Sequence, residues 1–205
     1  WLSKIGDRIG WFKIGLELFV SLGPSIVEEI ASRTRVFLDL KLHDIPATVS
    51  GAAQAAEKLG ARVLSVHVDT GAASIKKAIE DTHFSKIAAI SVLTSIAQSD
   101  LAIENDDRVL ADLVRKRVEI AHSVGCTAFV CSGHEAHIVR SVATEDAMII
   151  CPGIRVKSGP DGDQKRVMTP KMAIENGASH LVIGRPIRNA PDPLKAIDDI
   201  LTQIA

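Results

Sequence analysis

The chain has no tyrosine, and only five phenylalanines and two tryptophans among its 205 residues. So sparse an aromatic set argues against a surface that stacks nucleobases. Neither sign of charge predominates. The formal net charge is -1, which provides no general pull towards nucleic acid or an anionic bilayer. No apolar run approaches the ~20 residues that cross a membrane as a helix, and no secretory signal is recognisable. Cysteine is scarce as well: Cys126, Cys131 and Cys151 are an odd number without metal-type spacing. Cys131 and Cys151 fall in apolar, strand-like runs, which predicts reduced, buried thiols and a reducing cytosol as the compartment. No Gly-x-Gly-x-x-Gly follows the first strand candidate, so an open dinucleotide-binding sheet loses its main signature. Linkers, repeats and low-complexity tracts are missing too. With 46% hydrophobic residues, the expectation is a single domain over residues 1–205.

What the chain does contain is a repeating alternation. Short apolar runs at 11–15, 36–41, 63–68, 87–93, 128–132, 148–152 and 181–184 read as strands, several rich in Val and Ile on both faces. That pattern suits parallel strands covered by helices. Helical stretches lie between them. The clearest, 107–124, carries Leu110, Leu113, Val114, Val118, Ala121 and Val124 on one stripe and stops at Gly125. Others are expected at 48–59, 170–176 and 192–204. The resulting fold class is α/β, a (β/α)8 TIM barrel. Seven strands are present where eight are needed, and residues 1–9 read as the end of a helix. The first strand is therefore expected to be absent from this chain and to lie upstream in the natural protein.

The most informative segment is 36–48, an apolar strand that carries Asp39 and Lys41 two residues apart. Alternation puts both on one face and Leu38, Leu40 and Leu42 on the other. Asp44 follows in the loop, ahead of Pro46, which can open a helix. Burying charge is costly unless it is paired, so the group points to chemistry. Other polar residues cluster at the ends of the strand candidates, where barrel active sites lie. They are Lys13, the run from His67 to Gly71, Thr94 and Ser95, Pro152 to Arg155, and Gly184 with Arg185. The last two suggest a phosphate: Arg185 offers a fork of donors and Gly184 permits close approach of the backbone. The Gly-containing loop 157–166 is expected to close over a ligand. Along Lys13, Asp39, Lys41 and Asp44 the charges alternate. At about 4 Å and an effective dielectric near 20, each contact contributes roughly 4 kcal/mol before desolvation. Such an array can stabilise developing negative charge and supply a proton to it.

From Lys13 to near Pro193 the chain resembles the orotidine 5'-phosphate decarboxylase family. The resemblance rests on Phe37-Leu38-Asp39-Leu40-Lys41-Leu42-His43-Asp44-Ile45-Pro46, on Gly162-Asp163-Gln164-Lys165-Arg166-Val167-Met168-Thr169-Pro170, on Pro152-Gly153-Ile154-Arg155 and on Val182-Ile183-Gly184-Arg185-Pro186-Ile187, in the family's order. It implies a barrel enzyme that converts orotidine 5'-phosphate to uridine 5'-phosphate and carbon dioxide, with neither metal nor organic cofactor. By the same resemblance, Lys41 protonates C6. Asp39 sits beside the substrate carboxylate and holds Lys41, and Lys13 orients Asp39 and contacts the ribose. Asp44 and Thr48 reach into the partner's site of a homodimer. Thr94, with Ser95 its rival, meets the pyrimidine. Pro152 lines the base pocket, Gln164, Gly184 and Arg185 hold the phosphate, and Arg155 belongs to the substrate-binding set. The family also places an Asp on its first strand, against the ribose, and no residue here matches it.

Two rival readings share parts of this pattern. The Asp-x-Lys-x-x-Asp core also occurs in magnesium-dependent sugar-phosphate decarboxylases and aldolases. A non-catalytic nucleotide-phosphate-binding barrel would keep the phosphate site alone. His134 and His137 lack the His-Glu-x-x-His spacing of a zinc site. His67 reads as a packing or hydrogen-bonding residue, Cys131 has no evident base partner, and Lys76-Lys77 and 115–117 read as solvated helix faces.

Overall fold

Every strand candidate becomes a strand in the computed structural model, which describes residues 1–83, 86–103, 109–155 and 168–204. The chain divides into two compact units, Trp1–Ile90 with Ile120–Ala128, and Ser91–Glu119 with Phe129–Ala205. In chain order the first unit contains α1 (Leu2–Ile5), β1 (Phe12–Gly15), α2 (Leu16–Leu22), α3 (Ser25–Ala31), β2 (Val36–Leu42), α4 (Pro46–Lys58), β3 (Val63–His67), α5 (Ala72–Glu80) and β4 (Lys86–Ile90). The chain continues with α6 (Gln98–Ile103), α7 (Leu110–Ser123), β5 (Ala128–Val130), α8 (Ala136–Val142), β6 (Met148–Cys151), α9 (Pro170–Glu175), β7 (His180–Leu181), α10 (Arg185–Arg188) and α11 (Pro193–Ile204). Within the first unit β1 pairs with β2, β2 with β3 and β3 with β4; within the second, β6 pairs with β7. All four pairings are parallel. Parallel strands alternating with helices make this a TIM-barrel-like (β/α) fold, the class expected from the sequence.

Burial explains the alternation. Ile14, Leu38, Val63 and Leu64 from the strands and Val27, Val49 and Ile75 from the helices fill the first unit's core, each at most 1% exposed. In the second unit Phe129, Ile149 and Ile154 do the same beside Val114 and Val118 of α7. The expected α7 stripe is buried from Leu110 to Ala121, while Val124 is only partly covered. Pro46 does open its helix, at the first position of α4, where its missing N–H costs nothing. All three cysteines are free and buried.

One irregularity positions the site. Phe37 lies opposite Val63 and Leu38 opposite Leu64, but the next match is Leu42 opposite Val66. Asp39, Leu40 and Lys41 therefore face the single residue Ser65. This is a β-bulge, which bends a strand and re-aims its side chains. Lys41 takes φ +54° within it, the only non-glycine residue with positive φ among those described. A non-glycine residue in that region costs on the order of 1 kcal/mol, a strain that clusters at functional sites.

Candidate active site

At the centre of the first unit's polar cluster is Asp39, whose side chain is only 10% exposed. Its Oδ2 accepts a hydrogen bond from Lys41 Nζ at 2.7 Å and forms an ion pair with Lys13 Nζ at 3.4 Å. Its Oδ1 accepts from the Ser65 hydroxyl at 2.9 Å. Burial pushes the Asp39 carboxyl up; the charges of Lys41 and Lys13, with the hydrogen bonds from Lys41 and Ser65, outweigh that and hold it below its ordinary value. The two ammonium groups keep about a third of their side-chain surface in water, 34% for Lys13 and 40% for Lys41. The arrangement is an anion almost out of solvent between two cations that solvent still reaches.

Two neighbours make this geometry possible. The register of β1 sets Gly15 opposite Asp39, and a Cβ at Gly15 would come within 2.8 Å of Lys13 Nζ. The absent side chain is the space the ammonium occupies. Ser65, fully buried on β3, accepts from the Lys41 backbone N–H at 2.8 Å and donates to Asp39. Gly15 and Ser65 were not among the expected site residues. The only sequence signal for Ser65 is one hydroxyl inside the run Val63-Leu64-Ser65-Val66. For Gly15 it is the two-residue spacing from Lys13 that puts both on one strand face.

Beyond the bulge the chain leaves the sheet. The Asp44 backbone is held by α5 and the turn before it: Thr70 Oγ1 accepts from the Asp44 N–H at 3.0 Å and donates back to its carbonyl, and Ser74 Oγ donates to the same carbonyl at 3.1 Å. Asp44 Oδ1 accepts from the Ile45 N–H at 2.7 Å. Asp44, Ile45 and Thr48 are all exposed, Ile45 by 65%. His67 stacks loosely with His43, rings 5.8 Å apart. Lys13, Asp39 and Lys41 thus come together, while Asp44 and Thr48 lie exposed to solvent beyond the end of β2.

The remaining expected residues belong to the second unit. Thr94 sits half-buried in a turn beside exposed Ser95. Pro152 follows β6. Arg155 Nη1 donates to the Ile154 carbonyl at 3.1 Å, and its Nη2 is buried without a hydrogen-bond partner among the described residues. Gly184 immediately precedes α10, and among the described residues nothing lies within 4 Å of where its side chain would be; Arg185 is that helix's first residue. Gln164 and the loop 157–166 lie outside the described residues. Among the described residues no group of three or more His, Cys, Asp or Glu side chains is placed to hold a metal ion. No described helix is long and apolar enough to cross a membrane.

A model of the orotidine 5'-phosphate decarboxylase / HUMPS family matches residues 1–200. The orotidine 5'-phosphate decarboxylase of Thermobifida fusca (strain YX) is 43% identical over 195 residues, covering 94% of this chain and 84% of that protein. The protein of the same name from Gloeothece citriformis (strain PCC 7424) is 41% identical over 210 residues, covering 100% of this chain and 90% of its own length. The crystal structure of orotidine 5'-phosphate decarboxylase from Lactobacillus acidophilus superposes with a TM-score of 0.82 at 32% identity, covering 99% of this chain and 92% of that one.

Proposed function

The chain belongs to the orotidine 5'-phosphate decarboxylase / HUMPS family, and from that membership we propose that it is a carboxy-lyase converting orotidine 5'-phosphate to uridine 5'-phosphate and carbon dioxide. The observation that carries this reading is the Lys13–Asp39–Lys41 array, with one carboxylate oxygen shared between two ammonium groups. When the bond between C6 and the carboxyl group breaks, its electron pair stays on C6. Lys41 donates its proton there, and carbon dioxide leaves. The neutral amine then regains a proton from water, which reaches its 40% exposed side chain. Asp39 holds Lys41 in place and sits beside the substrate carboxylate, a like-charge contact that is relieved as carbon dioxide departs. Lys13 orients Asp39 and contacts the ribose. Preorganised charge of this kind accounts for most of the rate enhancement in many enzymes.

Gly184, Arg185 and Gln164 hold the phosphate, Pro152 lines the base pocket, and Thr94, less exposed than Ser95, meets the pyrimidine. Arg155 Nη2, buried without a hydrogen-bond partner among the described residues, supports a place in the same substrate-binding set. Binding energy from the remote phosphate is used to align the base at the reacting carbon. Residues 1–205 act as one domain in this reading.

The working unit is a homodimer in which Asp44 and Thr48 reach the partner's site. Their exposure supports this, as does α2, where none of the seven residues is buried and Leu16, Val20 and Leu22 are 57%, 73% and 55% exposed. The site needs no metal. The Asp44-Ile45-Pro46 and Asp163-Gln164-Lys165-Arg166 segments favour this reading over a magnesium-dependent sugar-phosphate enzyme, which shares only the Asp-x-Lys-x-x-Asp core.

Following the loss of orotidine absorbance tests the proposal. The purified chain should turn over orotidine 5'-phosphate at an unchanged rate in chelator. Lys41→Ala should lose on the order of a thousandfold or more in kcat, at the upper part of what a positioned general acid contributes. Turnover by that variant at the wild-type rate removes Lys41 as the proton donor. Binding of uridine 5'-phosphate without turnover by the wild-type chain would instead leave a non-catalytic phosphate-binding protein.

A further inference from the structure

The bulge in β2 poses a hydrogen-bonding problem that one side chain resolves. With Asp39, Leu40 and Lys41 all opposite Ser65, the Lys41 N–H has lost its regular place in the β2–β3 ladder. A backbone donor without a partner in a protein interior is costly. Ser65 Oγ takes the place of a ladder carbonyl and accepts from this N–H at 2.8 Å. The same hydroxyl then has one proton to give, and it gives it to Asp39 Oδ1 at 2.9 Å. A serine hydroxyl has one donor and two acceptor positions, so both contacts are made at once. The result links the backbone of Lys41, held at φ +54°, to the carboxylate that pairs with its own ammonium group.

We propose that Ser65 is a positioning residue of the decarboxylase: its hydroxyl fixes the rotation of the Asp39 carboxylate so that Oδ2 faces Lys41 and Lys13, and it pins the bulge that aims Lys41. Ser65 touches neither ammonium group nor substrate in this scheme and acts through Asp39 and the Lys41 backbone. The inference rests on the functional reading above for its catalytic consequence. Its structural content, a hydrogen bond that stabilises the ionised carboxylate, does not depend on turnover.

The test compares wild type with Ser65→Ala and Ser65→Thr by steady-state kinetics over a pH series and by thermal melting. It adds a titration of the Asp39 carboxylate carbon in protein labelled with ¹³C-aspartate, assigned with Asp39→Asn. For Ser65→Ala, kcat is expected to fall on the order of tenfold to a hundredfold, with a smaller change in KM. The acid limb of the kcat profile and the carbon midpoint of Asp39 should both move to higher pH, because the ionised form has lost a donor. Ser65→Thr, which keeps the hydroxyl, should restore the midpoint and most of kcat. Wild-type kcat and midpoint in Ser65→Ala would overturn the proposal, as would a fall in kcat with the Asp39 midpoint unmoved. Should Ser65→Ala not fold, the same midpoint is read in Ser65→Cys, where a rise supports the role and an unchanged value overturns it. Absence of turnover in the wild-type chain would defeat the decarboxylase reading alone; the carbon titration would still decide the role of Ser65.

Discussion

At the scale of single residues, Asp39 joins Lys13, Lys41 and Ser65 and is the most sensitive point of the candidate site. Replacing it by Asn leaves two neighbouring ammonium groups without a counter-charge. Breaking a buried pair costs about 3–5 kcal/mol, and because Lys13 and Lys41 keep contact with water the expected loss is smaller, roughly 1–2 kcal/mol. The pH dependence has a definite sign. Asp39 titrates lower in the folded chain than in the unfolded one. Its contribution to stability is therefore complete above the unfolded value and is lost as pH falls through the folded value. Melting temperatures measured from neutral pH downwards should fall through the acidic carboxylate range, and the Asp39→Asn variant should show a shallower fall there. The charged members of this site were legible from sequence because a charge in an apolar strand demands a partner. Ser65 and Gly15 were not, because a hydroxyl is cheap to bury and a glycine displays nothing. Their roles exist only once the register sets them opposite Asp39.

At the scale of elements, the strand–helix alternation was legible and the ladder was not. All seven strands among the described residues overlap the expected runs, and α7, α9 and α11 begin and end within a few residues of their stripes. Periodicity reports which face a side chain takes, so it recovered the shared side of Asp39 and Lys41. It carries no information on how many residues of one strand oppose one of the next, so the bulge was not foreseen. The last strand shortened to His180–Leu181, although the Val182 N–H still donates to the Cys151 carbonyl at 2.9 Å. The chain then turns into α10, a helix of four residues too short to leave a periodic signal. The fit of β1 against β2 allows a direct test. In Gly15→Ala the new methyl would crowd Lys13 Nζ. The end of a lysine side chain moves easily, so the melting temperature should change little. The ammonium should be displaced from Asp39 and kcat/KM should fall by roughly tenfold, about 1.4 kcal/mol of transition-state stabilisation.

At the scale of the whole molecule, the question is whether one chain holds a complete site. The exposed Asp44 and Thr48, with the Asp44 backbone held by Thr70 and Ser74, argue for sharing between copies. Mixing two variants that are each inactive, Lys41→Ala and Asp44→Ala, tests this. Random reassociation makes half of the dimers hybrids, and each hybrid has one site that takes both native residues, so about a quarter of wild-type activity should return. Sites contained within one chain would return none. The uncovered apolar side chains of α2 then acquire a thermodynamic meaning. If they lie in the contact between copies, dilution below the dissociation constant strips each subunit of its borrowed aspartate, and specific activity becomes a readout of mass action. An assay at trace concentration would report a slow enzyme, and the same preparation concentrated would report a fast one.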